Sequence, residues 1–181
     1  MSAEIQMGQH LMLAFPGKDT IPPEYESTMR SIKPAGYTLF RHLNIDSPEQ
    51  VFALTSHLQK LAKDAGMPPL FIATDQEGGQ IMSIGDGVTQ LPGNMAIGAT
   101  GSSELARQAG EILGREMAAL GINTIYAPVC DVNINPQNPV IGVRSFSEDP
   151  DLVSILAAAM IEGIQSTGVI ASAKHFPGHG D

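Results

Sequence analysis

Val169-Ile170-Ala171-Ser172-Ala173-Lys174-His175-Phe176-Pro177-Gly178-His179-Gly180-Asp181 reads as an apolar strand that ends in a lysine and a histidine and then breaks into a Gly/Pro loop. In α/β folds the carboxyl ends of parallel strands open into the ligand crevice, so polar side chains at such a point mark a candidate site. The chain reaches its last residue inside that site.

Working outward, four more apolar runs, at 10–15, 36–41, 70–75 and 123–129, alternate with helical patterns. That alternation predicts consecutive βα units and a parallel sheet of five strands. Ser47, followed by Pro48 at the first helical position and Gln50 three residues on, predicts a capped helix; its stripe is Val51, Leu54, Leu58, Leu61, Ala62 and Ala65, and Gly66 stops it. A second stripe runs from Ser103 through Leu105, Ala109, Ile112, Leu113, Met117 and Leu120 to Gly121. A third runs from Asp149-Pro150 through Val153, Leu156, Ala157, Met160, Ile161 and Ile164 to Gly168. A shorter helix with a thin stripe is expected around 23–32. One-sided helices of this kind suit the covering of a sheet.

Segments 76–102 and 130–149 are far longer than the roughly two to six residues usual between such elements. Both follow the carboxyl end of a strand, where long loops are usually functional. Apolar residues within them (Ile81, Ile84, Leu91 and Met95; Val132, Ile134, Val140 and Ile141) argue against disorder.

The 181 residues suffice for one domain, and a net charge of −9 with no basic run excludes a nucleic-acid or anionic-membrane partner. No apolar run approaches the roughly 18 residues of a membrane span, and the start lacks the basic region of a signal peptide. The lone Cys130 forms no internal disulfide and suits a reducing, cytoplasmic compartment; it reads as a small buried thiol rather than a nucleophile. Gly98-Ala99-Thr100-Gly101 lacks both the ending and the preceding strand of a phosphate loop.

Polar groups stand at the strand ends: Arg41-His42, Asp75-Gln76-Glu77, Asp131 and Lys174-His175. Parallel strands would deliver them to one rim, and a mixture of carboxylate, guanidinium, ammonium and imidazole suits a polyhydroxylated ligand whose hydroxyls donate and accept. In Asp75-Gln76-Glu77-Gly78-Gly79 the glycine pair permits a sharp turn that lets Asp75 point inward. His175, His179 and Asp181 offer a second reading as a metal triad. Pro177 and the two glycines of that loop leave no helix to set the histidines on one face, so no metal is expected.

The run from Lys174 to Asp181, with Asp75-Gln76-Glu77-Gly78-Gly79, Phe40-Arg41, Leu91-Pro92-Gly93-Asn94-Met95 and Arg144-Ser145-Phe146, resembles glycoside hydrolase family 3, and most of all its bacterial β-N-acetylhexosaminidases. The resemblance implies a (β/α)8 barrel without cofactor that hydrolyses β-linked non-reducing-end sugars, N-acetylglucosaminides above all, with retention of configuration. It implies that Asp75, Arg144, Lys174 and His175 hold the sugar hydroxyls, with Asp131 a lesser candidate. The substrate is then a small saccharide, peptidoglycan fragments among the candidates.

The family's histidine acid/base, supported by an aspartate, and its aspartate nucleophile would lie past Asp181, so residues 1–181 are expected to form the N-terminal portion of the catalytic domain, inactive alone. Five strands of eight leave the barrel open, with edges through which copies could associate. One departure concerns specificity. The hexosaminidases usually carry an arginine eight positions past the aspartate, where this chain has Ser83, which keeps a β-glucosidase in view. Two other readings are a five-stranded doubly wound ligand-binding domain, whose first strand would lie inside the sheet, and a non-catalytic sugar-binding module.

Overall fold

The computed structural model describes residues 7–181. Strands β1 (Met12–Leu13), β2 (Gly36–Leu39) and β3 (Phe71–Thr74) are followed by an antiparallel hairpin, β4 (Gln76–Gly78) and β5 (Ile81–Met82), and then by β6 (Thr124–Ile125) and β7 (Ile170–Ala171). Five of these form one parallel sheet in the order β1-β2-β3-β6-β7. Every strand of that sheet lies beside its neighbour in sequence, and β1 is at an edge. This is the order of an opening barrel and not of a doubly wound sheet, whose first strand is interior.

The register explains why one face is covered. Tyr37 pairs with Ile72, and Leu39 with Thr74 and through it Ile125. These side chains share a face because strand side chains alternate, and all five are fully buried. On the opposite face Met12, Phe71 and Ile170 remain well exposed. Helices α1 (Pro23–Ile32), α2 (Arg41–Asn44), α3 (Pro48–Asp64), α4 (Asn94–Thr100), α5 (Ser103–Ala119) and α6 (Pro150–Gln165) complete the fold, with a 3-10 turn at Gly142–Arg144.

The cap of α3 forms as expected: Ser47 Oγ accepts the Gln50 amide at 3.2 Å. Gln50 returns its carbonyl to the Asp46 amide, one residue earlier than a capping box would. Between α5 and α6 the contact is made by glycines: a Cβ on Gly163 would lie 2.0 Å from the Arg107 carbonyl, and one on Gly110 2.3 Å from that of Met160. The buried stripe of α5 is consequently Ala106, Ala109, Gly110, Leu113, Gly114 and Met117. Leu105, expected within it, is 47% exposed and lies on another flank of the helix, beside Leu91, Pro92 and Ala96.

Two differences from the sequence reading have physical causes. The strands are shorter than their apolar runs, since Phe15 and Ala127 are apolar because they are buried, not because they pair in a ladder. Segment 76–102 is not a plain loop. Gly78 and Gly79, at φ 86° and 61°, turn the β4–β5 hairpin, and the buried Gln76 side chain bonds both the amide and the carbonyl of Ile84.

Candidate active site

Pairing between β6 and β7 continues past the ladder. Val129 bridges Lys174; the Cys130 amide donates to the Lys174 carbonyl at 2.6 Å and the Lys174 amide to Pro128 at 3.1 Å. Lys174 and His175 are thereby set alongside Cys130 and Asp131, while β3, paired to β6, brings Asp75 to the same end of the sheet.

There the side chains form one continuous network. Lys174 Nζ lies 2.6 Å from Asp75 Oδ1 and 2.5 Å from Glu77 Oε1. Arg144 grips Glu77 with two parallel bonds, Nε to Oε2 at 2.9 Å and Nη2 to Oε1 at 2.8 Å, the strong bidentate geometry of guanidinium and carboxylate. Arg144 Nη2 also approaches His175 Nε2 at 3.3 Å, and His175 Nδ1 lies 2.6 Å from Asp131 Oδ2. A carboxylate can only accept, which assigns the proton to Nδ1 and leaves Nε2 to accept from Arg144.

Asp131 also ties down the loop after β7: its buried Oδ1 accepts the amides of His175 at 3.2 Å and His179 at 2.8 Å. Burial pushes the Asp131 carboxyl up, but the His175 ring and amide together with the His179 amide outweigh it and hold the carboxyl below its ordinary value. Hydrogen bonds to Glu77 keep the Arg144 guanidinium above its ordinary value despite desolvation. Burial, with the charge of Asp131, pushes the Cys130 thiol up, which disfavours a nucleophilic thiolate.

Neighbouring motifs act as buttresses. Asn94 Nδ2 holds the Arg144 carbonyl at 2.9 Å, and the Gly79 amide donates to Leu91 at 3.0 Å. Asn138 Nδ2 donates to the carbonyls of His179 at 2.8 Å and Asp181 at 2.9 Å. Gly180 fits beneath because a Cβ there would lie 1.8 Å from the Val132 carbonyl.

Asp75, Arg144, Lys174 and His175, the expected sugar ligands, are thus brought together. Two members carry more contacts than the sequence suggested. Glu77 had a signal, since in an extended chain it shares a face with Asp75 two residues earlier while Gln76 points away; Asp131 had only its strand-end position. Arg41 and His42 lie on α2 and, among the described residues, make no hydrogen bond or ion pair with the network. Nor do His175, His179 and Asp181 gather as a triad: among the described residues no group of three or more His, Cys, Asp or Glu is arranged to hold a metal ion. No helix among them is long and apolar enough to cross a membrane.

A hollow of about 200 Å³ is lined by Asp131, Lys174 and His175. A larger cleft of about 480 Å³ borders Glu77 and Arg144 on their other flank, but its walls, among them Pro92, Met95, Ala96 and Val143, are mainly apolar. The network is thus divided between the two: Lys174, His175 and Asp131 border the smaller hollow, Glu77 and Arg144 the larger cleft.

Residues 8–181 match the model of the glycosyl hydrolase family 3 N terminal domain. The chain is 40% identical to β-hexosaminidase A of Pseudoalteromonas piscicida over 97% of its own length and 32% of that protein's. It superposes on a family 3 β-N-acetylglucosaminidase from Paenibacillus sp. with a TM-score of 0.95 at 42% identity, covering all of this chain and 34% of that one. NagZ from Neisseria gonorrhoeae, solved in complex with N-trifluoroacetyl-D-glucosamine, gives a TM-score of 0.84 at 32% identity over 94% of this chain and half of that one. With sheet order and relatives in agreement, the chain belongs to glycosyl hydrolase family 3, matching its N-terminal domain over residues 8–181 and covering about a third of the first two relatives' length.

Proposed function

We propose that residues 1–181 are the sugar-gripping portion of the catalytic domain of a β-N-acetylglucosaminidase that acts on non-reducing-end sugars with retention of configuration. The observation that carries this is the unbroken network from Asp75 through Lys174, Glu77, Arg144 and His175 to Asp131. Asp75 and Lys174 face the ligand as acceptor and donor, and Arg144 and His175 complete the set that binds hydroxyls. Three carboxylates against two cations give a site suited to a neutral polyol and to a developing positive charge on the sugar ring.

In this reading the nucleophile and the acid/base are supplied from outside residues 1–181, and His179 and Asp181 are loop residues leading to the acid/base. Peptidoglycan-derived saccharides fit as substrates, and the single free thiol supports a reducing, cytoplasmic setting. A second reading, a β-glucosidase, is favoured by Ser83, whose side chain is largely buried and whose amide is taken by the Asp75 carbonyl at 3.0 Å.

Calorimetric titration tests the reading. N-Acetylglucosamine should bind the chain, Asp75→Ala should abolish binding with little change in melting temperature, and aryl β-N-acetylglucosaminide should not be turned over. Absence of binding to the unaltered chain, or turnover that Glu77 and His179 variants remove, defeats the proposal. With the full-length enzyme, cleavage of aryl β-glucosides alone would select the second reading.

A further inference from the structure

We infer that Glu77 is a positioning residue that acts as a built-in anion: it occupies the fork between Lys174 and Arg144 and thereby makes the sugar site select neutral sugars over anionic ones. The inference rests on the reading of Asp75, Arg144, Lys174 and His175 as sugar ligands.

The geometry is specific. Lys174 Nζ and Arg144 Nη2 touch the same oxygen, Glu77 Oε1, at 2.5 and 2.8 Å, while Arg144 Nε takes Oε2 at 2.9 Å. A guanidinium and an ammonium converging on one point form a ready receptor for a carboxylate or phosphate. Here that receptor is already filled from within, by a side chain only 2% exposed. Its backbone is held by the β4–β5 hairpin, which Gln76 clasps at Ile84. A carboxylate this buried persists as a charge only when paired, and both of its partners are supplied. The anion left open to solvent is Asp75, whose side chain is a third exposed. An incoming ligand therefore meets an acceptor for its hydroxyls and repulsion for any carboxylate or phosphate of its own. The two cations are neutralised yet retain N–H groups to donate, and their separation is set by the oxygen they share.

Wild type, Glu77→Gln and Glu77→Ala are titrated with N-acetylglucosamine and with glucuronate, in the presence and absence of acetate, and their folding is followed by circular dichroism. Wild type should bind the neutral sugar and reject glucuronate. Both variants should lose about tenfold or more in affinity for N-acetylglucosamine and gain measurable affinity for glucuronate. In Glu77→Ala, acetate should enter the vacated fork, restore neutral-sugar binding and displace glucuronate. Folded variants with unchanged selectivity and no response to acetate overturn the inference, as does loss of fold in both, because Glu77 would then serve only to staple the hairpin. Failure of wild type to bind N-acetylglucosamine counts instead against the proposed function.

Discussion

Asp131 shows how a single buried carboxylate couples stability to the site. Its Oδ1 and Oδ2 together accept two amides and the His175 ring, so Asp131→Asn, which gives up charge and part of this acceptance, should cost about 2 kcal/mol at neutral pH in urea unfolding. The pH dependence has a definite sign. A carboxyl held below its ordinary value in the folded state contributes stability that is complete above its unfolded value of about 3.9 and is lost as pH falls through the folded value. The difference between wild type and Asp131→Asn should therefore shrink as pH falls below about 5; a difference that widens in acid contradicts the assignment. Of the site residues, Asp75, Lys174 and His175 were legible because they close apolar runs. Arg144 was reached through the resemblance alone, since it sits in a turn with no periodic pattern to announce it. The hub role of Glu77 depends on a hairpin whose strands are too short to leave a hydrophobic period.

At the level of elements, capped helices and alternating runs were readable because their signals are local: Ser47, Pro48 and Gly66 bound α3 by their own backbone preferences. The glycine seam between α5 and α6 was not, because the requirement at Gly110 and Gly163 is imposed by carbonyls on the facing helix. Gly163→Ala would place a methyl group against the Arg107 carbonyl and should destabilise the chain by about 1–3 kcal/mol. Thermal denaturation checks this; an unchanged or raised melting temperature would mean that the helices separate at no cost. The exposure of Leu105 was equally out of reach, for a helical pattern gives the stripe's period but not which of two adjacent stripes the neighbours select.

For the molecule as a whole, β1 and β7 are the outer strands of the five-stranded sheet, and Met12, Phe71 and Ile170 line its uncovered face. Open edges beside exposed apolar side chains pair readily, so residues 1–181 on their own should self-associate at micromolar concentration. Sedimentation velocity measures this, and a strict monomer would contradict it. The alternation of strands and helices, the helix boundaries and the strand-end polar residues were all present in the linear chain, because each depends on the preferences of neighbouring residues. Strand order, the face left bare, the closeness of α5 to α6 and the joining of Glu77 to both Lys174 and Arg144 depend on groups up to about a hundred positions apart. Only folding brings such groups within reach, and their contacts are set by the packing of whole elements rather than by any local preference.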